Sequence, residues 1–277
     1  MPELPEVETV RRSLTDTLSG ATIVAIEERF PGVLIDESEG YTLPLTIERL
    51  RRRGKYLLFD LIDVEGKALI LIAHFRMTGK FYIEHHNHVQ PHTHVRLKII
   101  KDGNTFHLDY VDVRRFGRLW LYDSHDENRH KTIAGLGPEP LSEAFSEESL
   151  RFSLKRRHGS TVKATLLNQE EIAGIGNIYA DEALFRAGIR PQRRSGRVTK
   201  KETAKLHLAL RDVLELGIGH RGTSFRDYVD GLGRPGSFQQ LLNVYGRSGE
   251  PCHVCQTPLK TIRVAGRTTR YCPRCQR

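Results

Sequence analysis

Near the start of the chain, Val7, Val10, Leu14 and Leu18 recur at helical spacing. Glu3, Glu6 and Glu8 crowd the end at which a helix dipole is positive, so the chain is expected to open with a helix. From Ala21 to about Tyr122 the pattern changes to short β-branched and aromatic runs, namely Tyr56 to Leu61, Ala68 to Ala73, Val95 to Ile100 and Phe106 to Tyr110. Turn signals such as Asp102-Gly103 separate some of them, and the succession predicts an antiparallel sandwich or barrel. The stretch Gly135 to Leu141, with Gly137, Pro138 and Pro140, ends this half. Helical spacing returns beyond it, most clearly where Thr199 and Glu202 make a capping box ahead of Leu206, Leu210, Val213 and Leu214. Between Phe225 and Gly249 glycines and aromatics follow no period, so a mobile or ligand-contacting loop is expected there. No internal repeat or low-complexity segment interrupts the chain.

With 277 residues, 38% of them hydrophobic, the chain can bury a sizeable core, and two domains are expected. Strands first and helices after make an α+β protein. Lys and Arg number 43 against 34 Asp and Glu, a formal charge of +9 that points to a polyanion. Counterion release favours phosphate backbones, although anionic membranes and RNA assemblies attract basic chains as well. No apolar run approaches the roughly 18 residues of a membrane span. The N-terminus also lacks the basic-then-apolar layout of a secretory signal, so a soluble cytoplasmic protein is expected.

All the cysteines lie in the last 26 residues, as Cys252-x-x-Cys255 and Cys272-x-x-Cys275 with sixteen residues between the pairs. Two such knuckles bring four thiolates into a tetrahedron suited to one structural Zn²⁺, against the alternative of ordinary dithiols in a reducing cytosol. Leu259 to Val264 and Thr268 to Tyr271 predict two short strands turning at Ala265-Gly266. So small a unit buries little core, so the metal would supply its folding free energy and hold Arg263, Arg267 and Arg270 on a rigid tip. The alternative reading of the three arginines is a solvated face.

Pro2 follows the initiator methionine directly, and removal of Met1 would expose a secondary amine. An α-amine titrates near pH 8, so a useful fraction is unprotonated at neutrality, and it can attack a sugar C1′ to form an iminium. Glu3 beside it is a candidate proton donor or acceptor. The alternative is a proline that merely suits the first turn of a helix.

Five segments change the weight of that alternative: Pro2-Glu-Leu-Pro-Glu-Val-Glu-Thr9, His74-Phe-Arg-Met-Thr-Gly79, Asp112-Val-Arg-Arg-Phe-Gly117, Gly174-Ile-Gly-Asn-Ile-Tyr179 and the four-cysteine unit. Together, in order from residue 2 to residue 275, they resemble the formamidopyrimidine-DNA glycosylases. The resemblance implies an N-terminal antiparallel β-sandwich with flanking helices over residues 1–135 and a linker over 136–150. It further implies a helix-two-turns-helix domain over 151–243 that includes a lesion-contacting loop, and a zinc-ribbon finger over 244–277, with DNA held between the halves. The implied activity is base excision repair: excision of 8-oxoguanine and formamidopyrimidines from double-stranded DNA, followed by β,δ-elimination at the abasic site. Pro2 would be the nucleophile and Glu3 would assist ring opening and proton transfer. Lys55 would donate a proton and contact phosphate, and Arg267 would serve the second elimination. Met77, Arg114 and Phe116 match an intercalating trio that fills the gap left by a flipped nucleotide. His92, Arg157 and Asn177 match phosphate contacts, and Lys163 matches a DNA-site lysine whose role stays open. One zinc ion, no organic cofactor, no membrane and a monomer complete the expectation.

One position bears on the branch of the family, and another departs from its pattern in a way that changes packing more than chemistry. Leu4 stands where endonuclease VIII enzymes, which prefer oxidised pyrimidines, usually carry glycine, and Phe75 stands where leucine is usual after His74. The competing readings are therefore an oxidised-pyrimidine glycosylase and a non-catalytic zinc-ribbon DNA-binding protein. His85, His86, His88, His92 and His94 form a solvated connection between strands rather than a metal cluster.

Overall fold

The computed structural model describes residues 1–225 and 228–277. The chain divides into one unit of residues 1–134 with 221–237, and a second of 135–220 with 238–277.

In the first unit, α1 (Leu4–Leu18) buries Val7, Val10, Leu14 and Leu18, the stripe that its spacing predicted, together with Leu4. Each of those side chains contributes roughly 1.5–3 kcal/mol of burial. Nine strands follow: β1 (Thr22–Glu28), β2 (Leu34–Asp36), β3 (Leu45–Arg53), β4 (Tyr56–Ile62), β5 (Ala68–His74), β6 (Lys80–Glu84), β7 (Thr93–Lys101), β8 (Asn104–Val111) and β9 (Arg118–Asp123). A short helix, α2 (Lys131–Ala134), comes after them. The strands pair in the order β2-β9-β5-β4-β3-β1-β7-β8-β6, antiparallel except for the parallel β2 and β9 edge. β4 and β6 stand five places apart in that order, yet the Phe59 and Phe81 rings meet edge to face at 5.6 Å. The sheet therefore folds over itself around one core, which is the expected sandwich built from a continuous ladder. Asp102 (φ 49°) and Gly103 (φ 76°) turn β7 into β8 with the two positive φ angles that suit tight hairpins.

The second unit holds α3 (Glu147–Arg156), α4 (Val162–Leu167), α5 (Asn177–Ala187) and α6 (Lys200–Gly219), followed by the hairpin of β10 (Lys260–Val264) and β11 (Arg267–Tyr271). Leu150, Leu154, Val162, Leu166, Leu184, Leu206 and Leu210 share its helical core. The capping box forms as expected: Thr199 Oγ1 accepts from the Glu202 amide at 3.3 Å, and Glu202 Oε2 accepts from the Thr199 amide at 2.8 Å. Among the described residues, no helix is long and apolar enough to cross a membrane.

Two features differ from the sequence reading. Helix begins at Glu147, inside the stretch read as a linker. Residues 221–237 pack in the first unit rather than with the helices. There the Thr223 amide donates to Glu6 Oε1 at 2.8 Å, Tyr228 Oη to the Glu6 carbonyl at 3.1 Å, and the Gly231 amide to Ser13 Oγ at 2.9 Å. Partners more than 200 residues distant leave no local period to read. Part of the expected loop, Arg226 and Asp227, lies outside the described residues.

Candidate active site and metal centre

The first unit carries the candidate nucleophile. Pro2 is half-buried and leads directly into Glu3, the N-cap of α1. The cap is reciprocal: the Glu3 side chain accepts from the Glu6 amide, and Glu6 Oε2 accepts from the Glu3 amide at 2.9 Å. Glu3 is thus held in one place while 3% exposed, the environment in which a carboxyl can exchange protons with a neighbour instead of with bulk water. Further along the helix, Glu8 is a structural acid. Burial would raise its pKa, but hydrogen bonds from Arg11 and Arg12 and the charges of Arg11 and Arg52 hold it at about 2.

Lys55 sits in the turn between β3 and β4, 7% exposed. The arginines before it are engaged inside the fold. Arg51 pairs with Asp60 and Glu127, and Arg52 with Glu8, so this basic run is not a solvated face. Beside it, His74 is held neutral, its pKa brought down to about 3 by burial and by the charges of Arg76 and Lys55. Its Nδ1 accepts from the Arg76 amide at 3.0 Å.

Met77, Arg114 and Phe116 stand exposed on two loops, Met77 at 45% and Phe116 at 52%, with the Arg114 guanidinium 4.7 Å from the Phe116 ring centre. Apolar side chains this open are poor core residues and suitable insertion elements. His92 is exposed with φ 65°, whereas His94 is buried with Nε2 2.7 Å from the Asp112 carbonyl oxygen. His85, His86 and His88 are exposed, and the one metal-type cluster among the described residues is made of cysteines.

In the second unit, Arg267 opens β11 and is exposed, with Arg263 exposed on the partner strand. Asn177, the first residue of α5, uses Nδ2 to donate to the Thr268 carbonyl at 3.0 Å, while its buried Oδ1 has no partner. Arg157 caps α3 and is half-buried, with an unpartnered buried Nε. Lys163 differs from its expected placement. It is fully buried, its Nζ 2.6 Å from Asp181 Oδ1 and donating to Thr269 Oγ1 at 2.7 Å, so its charge is directed into the fold and not at a solvent-borne phosphate. Burial raises Asp181 to about 6 against the pull of Lys163, and its carboxylate also accepts from the Arg270 amide at 3.2 Å. This pair ties α4 and α5 to the strand that carries Arg267. Removing one partner leaves a buried charge uncompensated, so Lys163→Ala is expected to lower unfolding free energy by about 3–5 kcal/mol. In Lys163→Met/Asp181→Leu much of that loss should return, which chemical denaturation of the three proteins would measure.

The four cysteine Sγ atoms lie within 4.8 Å of one another, with Cys252 to Cys275 at 3.9 Å and Cys255 to Cys272 at 3.4 Å. Tetrahedral Zn–S bonds of about 2.3 Å require S–S edges of about 3.8 Å, so the donor set fits the ion. Hydrogen bonds from Thr257 bring the Cys255 thiol down to about 6, while burial pushes Cys272 and Cys275 up. Ala265 (φ 50°) and Gly266 (φ 72°) make the hairpin turn between the knuckles where it was expected.

Three families match in succession: the formamidopyrimidine-DNA glycosylase N-terminal domain over residues 1–119, its H2TH domain over 136–228, and a zinc finger found in FPG and IleRS over 249–277. A formamidopyrimidine-DNA glycosylase of Desulfitobacterium hafniense (strain DSM 10664 / DCB-2) is 47% identical over 285 residues, covering 100% of both chains. The chain belongs to the formamidopyrimidine-DNA glycosylase family. The MutM (Fpg) protein of Thermus thermophilus has a similar structure, with a TM-score of 0.86, 41% identity, and coverage of 99% of this chain and 98% of that one. A mutant Lactococcus lactis Fpg in complex with Fapy-dG-containing DNA gives a TM-score of 0.89 at 35% identity and 100% coverage of both chains.

Four acids make bonds that the sequence reading did not assign. Asp112 and Glu6 each hold loops by several bonds. Asp181 and Glu182 are buried in α5, where Glu182 accepts from the Val244 and Tyr245 amides at 2.8 and 2.9 Å. One signal was available: two consecutive carboxylates in the otherwise apolar run from Ile178 to Phe185 have to find partners when buried.

Proposed function

We propose that this chain excises oxidised purines, 8-oxoguanine and formamidopyrimidines, from duplex DNA and then cuts the abasic strand. Once Met1 is removed, the Pro2 nitrogen attacks C1′ of the flipped nucleotide and the N-glycosidic bond breaks, the base leaving with a proton. The resulting iminium undergoes β- and δ-elimination, which severs both C–O bonds to phosphate and leaves a one-base gap. Glu3 assists ring opening and proton transfer, Lys55 donates a proton and contacts phosphate, and Arg267 serves the second elimination. Met77, Arg114 and Phe116 fill the vacated stack, and His92, Arg157 and Asn177 bind phosphates. Cys252, Cys255, Cys272 and Cys275 hold one structural Zn²⁺, which folds the finger and takes no part in bond breaking. Residues 1–135 act as the catalytic domain and 244–277 as the finger, in a monomer working in the bacterial cytoplasm.

The observation that carries this reading is the capping box at Glu3, which fixes an occluded carboxyl beside the candidate amine. Leu4 supports the purine branch over the oxidised-pyrimidine one. Competition between 8-oxoguanine and thymine glycol duplexes tests it under single-turnover conditions. Faster release of 8-oxoguanine is expected, with phosphates on both new ends. A preference for thymine glycol would move the chain to the pyrimidine branch, and binding without cleavage would make it a zinc-ribbon DNA-binding protein.

A further inference from the structure

Asp112 follows the end of β8 and is fully buried, and the chain then emerges as the exposed stretch Val113 to Phe116. A buried carboxylate needs several donors, and here they arrive from two different loops. Oδ1 accepts from the Thr78 hydroxyl and, at 3.1 Å, from the Arg114 amide, while Oδ2 accepts from the Gly117 amide at 2.7 Å. The Arg114 amide also reaches the Thr78 hydroxyl oxygen at 3.3 Å, closing a ring of bonds. Each exposed side chain of the trio is therefore one residue or less from a bond to this carboxylate. Met77 adjoins Thr78, Phe116 adjoins Gly117, and Arg114 is bonded through its own amide. The main chain of Asp112 extends the arrangement, its amide donating to the His92 carbonyl at 3.1 Å.

The same two loops close on one hydroxyl. A Cβ at Gly79 would lie 2.4 Å from Tyr110 Oη, and one at Gly117 only 1.8 Å from it. Tyr110 Oη in turn donates to the His74 carbonyl at 3.4 Å. The loops are thus tethered by a carboxylate on one side and packed against a ring on the other, with no slack for a side chain between.

We propose that Asp112 is a positioning residue for base excision: its carboxylate sets Met77, Arg114 and Phe116 in fixed relation, so that they enter DNA as a preformed wedge. Asp112 has this role only in the base-excising enzyme proposed above, although the tether itself does not depend on that reading. An amide cannot replace the carboxylate, because its NH₂ would face either the Gly117 amide or the Thr78 and Arg114 donors.

The test uses the full-length, zinc-loaded protein, with Asp112→Asn and Thr78→Val as variants. Thr78→Val removes one arm only and reads the same tether if Asp112→Asn folds poorly. Amide exchange at Arg114 and Gly117, without DNA, should accelerate in Asp112→Asn; amides that stay protected would overturn the tether. On an 8-oxoguanine duplex, loss of the preformed wedge should slow single-turnover excision by about 10- to 100-fold. Borohydride trapping on a ready-made abasic site, where there is no base to evict, should change little. In a Met77→Ala/Phe116→Ala background, Asp112→Asn should add almost nothing, because the wedge it positions is already gone. Equal losses on both substrates, or a full additional loss in the wedge-less background, would make Asp112 a stabilising residue without a positioning role. No base release by the unsubstituted chain would instead refute the proposed function, a result separate from the exchange readout.

Discussion

Glu3→Gln should lower base excision by about 10²- to 10⁴-fold, the usual contribution of a positioned acid or base. That corresponds to roughly 3–5 kcal/mol of barrier. The fold should hardly register the change, since a glutamine carbonyl oxygen can still accept from the Glu6 amide and keep the helix capped. Even complete loss of the cap would cost about 1 kcal/mol, too little to account for the expected fall in rate. Single-turnover excision measured alongside a thermal melt separates the two roles. A lowered melting temperature with an unchanged rate would make Glu3 a cap and nothing more.

Cys272→Ser should release about one zinc per chain and with it the finger. Apparent binding free energies of about 10–16 kcal/mol for such sites exceed what the few buried side chains of this hairpin supply. Phe185, Val244 and Leu259 are the main apolar partners of Cys252 and Cys272, and a lone two-stranded hairpin is marginal in water. Elemental analysis and amide exchange should show metal loss and fast exchange over residues 249–277, with the β-sandwich of the first unit still protected. Affinity for DNA should collapse, because Arg267 and its neighbours lose the rigid strand that presents them. Full affinity after stoichiometric zinc loss would contradict this.

Much of the architecture could be read from the chain because it depends on local periods. The stripe from Val7 to Leu18, the strand runs of the sandwich, the Thr199 and Glu202 capping box and the Ala265-Gly266 turn each express one rule over a few residues. The cysteine spacing was equally legible, since four ligands of one ion constrain the intervals between them. What escaped was long-range polar bonding. Nothing near Glu6 announces that its carboxylate will accept from Thr223, and nothing near Lys163 announces Asp181 and Thr269. Lys163 shows the consequence. The resemblance left its role open, and only the fold reveals a charge buried against Asp181 and the finger strand. Asp112 belongs to a recognisable motif, but its bonds to Thr78 and Gly117 depend on two loops meeting, which the order of residues along the chain does not display.

Attack by the Pro2 nitrogen can be caught in the act by borohydride reduction during turnover on an 8-oxoguanine duplex, followed by proteolysis and mass mapping of the adduct. The adduct should fall on Pro2 of chains that have lost Met1, and chains that keep Met1 should form none. An adduct on a lysine such as Lys55, or undiminished trapping by chains that keep Met1, would contradict the mechanism.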